Sequence, residues 1–163
     1  MKKLFLLLLP ITIALAACSS DDAGTSKTEN PYDKSISGTL SKCEPPEWTV
    51  TDGITYDNMP VIIDEYALPC AIGMNDMIAG FINGKCRGVA RQPRYDEGEG
   101  YWRFNLTIYG VAADENAGST PMVEIRYYSA LQGGIYVSAP FPYSGGSILG
   151  KNLKGQGYRP VWK

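Results

Sequence analysis

The stretch that decides the fold is the run Tyr101-Trp102-Arg103-Phe104-Asn105-Leu106-Thr107-Ile108-Tyr109. Its even-numbered residues are all apolar or aromatic, whereas its odd-numbered residues carry polar groups. Because successive side chains of a β-strand point to opposite faces, this alternation predicts a strand with one buried face and one wet face. The buried face needs a second apolar surface to cover it, so the run predicts a layered β-fold.

Similar short runs continue from residue 48 to residue 162, separated by Gly, Pro, Asn and Asp. Residues 122–128 repeat the alternation, with Val123, Ile125 and Tyr127 predicted inward. Other strands are predicted at residues 48–51, 59–67, 77–82, 85–91, 134–139 and 158–162. About seven or eight antiparallel strands predict an all-β two-sheet antiparallel β-sandwich, Ig-like or jelly-roll-like. A closed β-barrel is the alternative.

The pair Asn83-Gly84 joins two of these runs and predicts a β-hairpin. Both central residues of a type I′ turn need positive φ, which Asn and Gly tolerate. In the resulting register Phe81 lies opposite Cys86, and we expect both on the inner face, with Arg87 pointing the other way.

The sequence around this hairpin, residues 75–90, reads N-D-M-I-A-G-F-I-N-G-K-C-R-G-V-A. It resembles a module of uncharacterised Bacteroidetes surface proteins that reads D-x-I-A-A-F-x-x-G-x-C-R-G-V-A. A strand around Met59, the run 101–110 and the aromatic run 125–128 extend the likeness over residues 48–160. The chain departs from the module at Gly80, where alanine is usual, and adds Pro69-Cys70. The resemblance implies a surface β-sandwich and no established activity.

The first 17 residues have the three parts of a signal peptide: Lys2 and Lys3, an apolar run at residues 4–15, and small residues before Cys18. The apolar run is shorter than the roughly 20 residues that a membrane-spanning helix needs. Leu15-Ala16-Ala17-Cys18 resembles the lipobox of bacterial lipoproteins, in which the cysteine thiol receives a lipid that anchors the protein to the membrane. An ordinary secretory signal is the alternative.

After Cys18, the stretch Ser19-Ser20-Asp21-Asp22 resembles the surface-export signal of Bacteroidetes-type lipoproteins. Its alternative interpretation is a solvated linker, because its polar composition cannot bury enough apolar surface to fold. We therefore expect a lipidated flexible tether over residues 18–40 and a β-sandwich domain over residues 41–163. The expected location is the outer membrane, with the domain exposed at the cell surface.

Composition excludes several classes of chemistry. The sequence has no histidine, which rules out Ser-His-Asp and Cys-His catalysis and histidine-containing zinc sites. The formal net charge is −2, and maturation would also remove Lys2 and Lys3, so nucleic-acid binding is not expected. No cofactor is expected. One interpretation of the cysteines is a disulfide among Cys43, Cys70 and Cys86. The other interpretation is that Cys86 is a small buried hydrophobe.

The loop with Asp96, Glu97 and Glu99 is the weak calcium candidate, because carboxylates on a flexible loop suit Ca²⁺. A solvated hairpin tip is the favoured interpretation. Two carboxylates could also support glycoside hydrolysis, but nothing in the sequence brings a pair together. A glycoside hydrolase is therefore the least favoured hypothesis.

Five outward-pointing residues form the predicted ligand surface, provided that they are exposed and clustered: Tyr101, Arg103, Tyr109, Arg126 and Tyr128. Tyrosine and arginine at a wet surface commonly stack on sugars or anchor protein partners. The leading hypothesis is a surface-anchored lipoprotein acting as a non-enzymatic binding or adhesion module with a glycan or protein ligand. A carbohydrate-binding accessory protein of a glycan-uptake system and a structural subunit of a cell-surface assembly are the alternatives.

Overall fold

The computed structural model of the chain describes residues 24–50, 57–111 and 118–163. The predicted signal peptide, Cys18 and the acidic stretch after it lie outside these residues. The described part contains no helix long and apolar enough to cross a membrane. A short 3-10 helix, Glu65–Ala67, follows the third strand. The strands of the described residues are Thr25–Glu29 (β1), Ser37–Lys42 (β2), Asn58–Asp64 (β3), Met77–Ile82 (β4), Lys85–Ala90 (β5), Arg94–Asp96 (β6), Tyr101–Tyr109 (β7), Met122–Ser129 (β8), Gly134–Val137 (β9) and Phe141–Pro142 (β10).

The strands form two antiparallel sheets. The larger sheet has the order β1-β2-β9-β8-β4-β5, with β10 paired to β8, and the smaller has the order β3-β7-β6. The predicted two-sheet sandwich is confirmed, and the closed-barrel alternative is wrong because the two sheets do not join into one closed ladder.

The core lies between the sheets and contains the residues that the alternation predicts. Phe104, Leu106 and Ile108 of β7 pack in one buried cluster with Val123 and Ile125 of β8. Burying such side chains contributes about 25 cal/mol per Å² of apolar area, which makes this cluster the main source of stability.

Strand β7 departs from the prediction at its first two residues. Trp102 is half-buried rather than core and packs against Tyr95, with ring centroids 5.0 Å apart. Tyr101 is fully buried rather than wet. Arg103 covers Tyr101, with its guanidinium 5.6 Å from the ring centroid.

The β4–β5 hairpin has the predicted turn but a different register beyond its tip. Asn83 and Gly84 have φ values of 51° and 75°, as a type I′ turn requires, and Phe81 pairs with Cys86. A register shift then follows, so that Gly80 pairs with Gly88. The predicted facing is therefore wrong: Ile78 and Ile82 enter the main core, while Phe81 and Cys86 form a small separate cluster that Trp48 packs against. Arg87, at the irregularity, is buried.

The expected tether is wrong from Thr25 onward, because β1 and β2 pair with each other and belong to the larger sheet. Residues 48–50 are not a strand, and residue 51 lies outside the described residues. The strand predicted at residues 59–67 ends at Asp64.

The strand predicted at residues 158–162 is not a regular strand. Residues 161–163 instead bridge β2 and β9, with Thr39 N–H donating to the Lys163 carbonyl at 2.5 Å and Lys163 N–H donating to the Val137 carbonyl at 3.0 Å. This C-terminal segment fills the gap where β2 and β9 diverge.

Candidate functional site

The structure does not assemble the predicted aromatic and arginine surface. Tyr101, Arg103 and Tyr109 belong to β7 in the smaller sheet, whereas Arg126 and Tyr128 belong to β8 in the larger sheet. Their inward-facing neighbours meet in the core, so the two outward-facing sets lie on opposite sides of the sandwich. Tyr101 is fully buried and Tyr128 is only 4% exposed. The prediction of one shared ligand surface is wrong.

The arginines of that set make contacts within the chain. Arg126 lies 4.0 Å above the centroid of the Phe81 ring, and its Nε donates to Glu124 at 2.9 Å. Arg103 donates to the Tyr101 hydroxyl at 3.0 Å and to the carboxylate of Asp96. These contacts give both side chains a structural role.

The acidic loop after β6 is organised by Asp96 acting on its own backbone. The Asp96 Oδ1 accepts hydrogen bonds from the N–H groups of Gly98 and Glu99, each at 3.1 Å. The Glu99 N–H and the Arg103 guanidinium hold the pKa of Asp96 below its usual value. No group of three or more acidic or thiol side chains within the described residues could hold a metal ion, so Asp96, Glu97 and Glu99 do not form the calcium site.

The three thiols of the domain are free, so the predicted disulfide is not formed. Cys43 is exposed after β2. Cys70 belongs to the main core, whereas Cys86 belongs to the separate cluster on the other face of the larger sheet. The environment of Cys86 agrees with the second interpretation of the sequence, in which Cys86 is a small buried hydrophobe.

Asp76 is a buried carboxylate with a structural role. It accepts hydrogen bonds from the Gly73 N–H at 2.7 Å, the Ala130 N–H at 2.8 Å and the Tyr127 hydroxyl. These bonds fasten the loop before β4 to the end of β8. Burial, followed by the charges of Cys70 and Asp76, raises the pKa of Tyr127 well above its usual value, so the phenol stays a donor.

A groove with a volume of about 390 Å³ is the candidate site, and sequence reasoning missed it. One wall is residues 35–37, at the start of β2, and the other is residues 159–162. We call this feature the C-terminal groove. Its lining mixes apolar groups with serine hydroxyls and one guanidinium, as in binding pockets, which span roughly 300–1,000 Å³.

The walls of the groove are held by contacts outside it. Trp162 Nε1 donates to the Ala67 carbonyl at 2.8 Å, which fixes the indole of this lining residue. Arg159 pairs with Asp33 at 3.1 Å, linking that wall to the β1–β2 loop. The Ser35 hydroxyl and N–H lower the pKa of Asp33, with a smaller effect from Arg159.

Charged side chains of both signs lie around the groove. From residue 125 to residue 163 the sequence has five Lys or Arg residues and no Asp or Glu. Arg159 is part of the groove lining, and the Arg159 side chain is about half exposed. Lys34, next to the other wall, is also exposed. Asp33 pairs with Arg159, and Glu29 lies opposite Ser37 in the β1–β2 pairing, so cations and carboxylates are balanced around the groove.

An aromatic pair includes Tyr32, the residue before Asp33. Tyr32 and Tyr66 have ring centroids 5.2 Å apart, and Lys154 Nζ lies 5.7 Å from the Tyr66 centroid. Tyr32 is 55% exposed. Burial, followed by the charge of Glu65, raises the pKa of Tyr32.

No protein-family model, no curated protein and no solved structure matches this chain. The resemblance to Bacteroidetes surface proteins therefore stays a prediction.

Proposed function

We propose that this protein is a non-enzymatic binding module, anchored to the outer membrane by lipid on Cys18, that binds its ligand in the C-terminal groove. The lipobox-like sequence before Cys18 supports the anchor. The C-terminal groove carries the proposal of binding, because it combines apolar walls, serine hydroxyls and a half-exposed guanidinium in one concave surface.

The position of the tether supports the same function. Thr25 follows Cys18 by seven residues, which span at most about 25 Å when fully extended. Thr25 pairs with Ser41, near the end of β2 that lies farthest from the groove. Strand β1 then runs about 17 Å before it reaches the loop beside the groove. The chain thus enters the domain at one end of β1 and carries the groove at the other.

Site-specific photo-cross-linking in living cells tests binding at the groove. A photoreactive amino acid replaces Val161, which is 71% exposed in the groove wall, or Leu131, which is 82% exposed in the β8–β9 turn. The expected result is a saturable cross-linked product from position 161 that position 131 does not give. Equal products from both positions, or none from either, would contradict the proposal.

Metabolic labelling with a clickable fatty acid tests the anchor. We expect the wild-type protein to incorporate the label and to sediment with membranes, and the Cys18→Ser variant to do neither. A Cys18→Ser protein that still carried lipid would overturn this part of the proposal.

Glycan binding is the second candidate function, and the Tyr32–Tyr66 pair is the observation that favours it. An exposed aromatic face can stack on a sugar ring. The test is affinity electrophoresis of the lipoprotein in polysaccharide gels. Tyr32→Ala should abolish any retardation, whereas the matched Tyr95→Ala, which removes a tyrosine of similar exposure from the smaller sheet, should not.

A further inference from the structure

The chain enters the domain at one end of the larger sheet, and the turn between β8 and β9 lies at the same end. At the last residue of β2, the Lys42 N–H donates to the Gly24 carbonyl, just before β1. Lys42 also pairs with Gly134, the first residue of β9, which follows the turn 130–133. Strands β1 and β9 are separated only by β2, so this turn lies about two strand spacings, or about 10 Å, from the point of entry.

The loop before β4 lies next to this turn and carries a second exposed apolar side chain. The Asp76 carboxylate accepts hydrogen bonds from the Gly73 N–H at 2.7 Å and from the Ala130 N–H at 2.8 Å. Met74 and Leu131 each follow one of these donors, so both belong to loops that are fastened to the same carboxylate. Met74 is 56% exposed, and Leu131, at 82%, is the most exposed large hydrophobic side chain of the described residues. We call Met74 and Leu131 the apolar pair.

Charged side chains at this end of the larger sheet balance each other. Lys42 and Arg91 are exposed, and Arg91 follows β5 where β5 pairs with the start of β4. Glu44 and Glu47 are exposed in the segment after β2, and Arg91 donates to the carbonyl of the next residue, Trp48, at 2.8 Å. Neither sign of charge prevails at this end among the described residues. A partner here is therefore selected by the exposed apolar side chains rather than by charge.

The lipid proposed on Cys18 brings a bilayer close to the apolar pair. Cys18 precedes Gly24 by six residues, which span at most about 22 Å when fully extended. The C-terminal groove lies beyond the other end of β1, about 17 Å farther along the strand. A domain held on so short a segment meets the lipid surface at high effective concentration, and exposed leucine and methionine side chains gain free energy by leaving water there.

Building on the proposed lipid anchor, we infer that the apolar pair docks on the bilayer that holds Cys18. The side chains of Met74 and Leu131 enter the boundary between the headgroups and the acyl chains. This contact fixes one end of the larger sheet against the membrane. The C-terminal groove, at the other end of β1, then faces away from the lipid surface.

Tryptophan quenching in vesicles tests this contact. The lipidated chain is reconstituted into phosphatidylcholine vesicles whose acyl chains carry bromine, which quenches tryptophan only at close range. The emission of the wild-type chain gives the baseline for its three native tryptophans. The tryptophan added in Leu131→Trp should lose most of its emission. The tryptophan added in Ile148→Trp should keep its emission, because Ile148 is 66% exposed in the segment that runs beside β3 of the smaller sheet.

One variant and one matched control show whether apolar burial drives the docking. Met74→Gln, added to Leu131→Trp, should weaken the docking about tenfold, since one apolar side chain no longer leaves water, and the added tryptophan should be quenched less. Ile148→Gln should leave the quenching unchanged. Added salt should also leave it unchanged, because the charges at this end are balanced. If Leu131→Trp does not fold, as judged by circular dichroism, Met74→Trp provides the same measurement from the neighbouring loop.

The outcomes separate the inference from the proposed function. If Cys18 carries lipid but the added tryptophan at position 131 is not quenched, or is quenched no more than the one at position 148, the docking alone is overturned. A dimer in detergent that Leu131→Gln dissociates would assign the apolar pair to a second copy of the chain instead. A chain without lipid on Cys18 would overturn the proposed anchor and the docking with it. In the photo-cross-linking experiment, position 131 should give a lipid adduct, unlike the saturable product expected from position 161.

Discussion

Replacing Gly88 by alanine should disrupt the close contact between β5 of the larger sheet and β7 of the smaller sheet. A Cβ built on Gly88 would lie 2.0 Å from the Thr107 carbonyl oxygen and 2.9 Å from the carbonyl carbon. Both atoms belong to the backbone of β7, so no side-chain rotation can relieve the clash, and β5 and β7 must separate. Overpacking of cores costs about 1–3 kcal/mol and occasionally more, and a backbone clash belongs at the upper end, so we expect at least about 3 kcal/mol.

Gly80→Ala is the informative comparison, because Gly80 pairs with Gly88 and faces the same core. Its Cβ would lie 2.6 Å from the Ile108 Cδ1 and 2.7 Å from the Ile108 Cγ1, which are side-chain atoms and can shift where backbone atoms cannot. The expected cost is about 1–3 kcal/mol, the usual cost of overpacking a core, partly offset because alanine restricts the unfolded chain.

Urea unfolding followed by tryptophan fluorescence measures both free energies. Gly24→Ala is the matched control, because a Cβ at Gly24 would meet nothing within 4 Å, and its midpoint should not fall. The reasoning is refuted if Gly88→Ala loses less stability than Gly80→Ala, because the two sheets would then not be held at backbone contact.

Three further outcomes follow from buried polar groups. Asp76→Ala should lose about 3–5 kcal/mol in urea unfolding, because a buried hydroxyl and two N–H groups lose their acceptor; a loss below 1 kcal/mol would contradict this role. In the native protein only Cys43 should react with a maleimide reagent, whereas all three thiols of the domain should react after denaturation. Rapid labelling of Cys70 or Cys86 in the native protein would show that the core opens. Burial and then Asp57 raise the pKa of Tyr143 to about 12, above the unfolded value of about 10, so its contribution to stability is complete below about pH 10 and is lost as the pH rises through about 12. Urea midpoints across this range should fall less steeply for Tyr143→Phe than for the wild-type protein, and equal slopes would count against this assignment.

Prediction from the sequence succeeds where the buried residues of a strand follow its two-residue alternation of apolar and polar side chains. Strand β7 has its predicted bounds because alternate apolar residues have a core to enter, and β8 differs only by one residue at its end. The hairpin turn is predicted because its positive φ values need Asn83 and Gly84. Beyond the turn, a single register shift reverses which residues face the core, and periodicity carries no sign of it.

Strands β1 and β2 could not be predicted from composition. The β1 sequence is Thr-Ser-Lys-Thr-Glu, and none of its residues is buried. It is a strand because its backbone pairs with β2, where Leu40 enters the core and Gly38 allows Tyr136 and Trp162 to approach. A polar edge strand of this kind has the composition of a solvated tether, and only the pairing distinguishes the two.

The same logic explains why the predicted ligand surface was wrong. If Phe104 and Tyr127 face each other across a sandwich, then the residues that alternate with them must point away from each other. A surface combining Arg103 with Arg126 is therefore incompatible with the fold that the same alternation predicts. The C-terminal groove joins residues more than a hundred positions apart, which no local sequence pattern encodes.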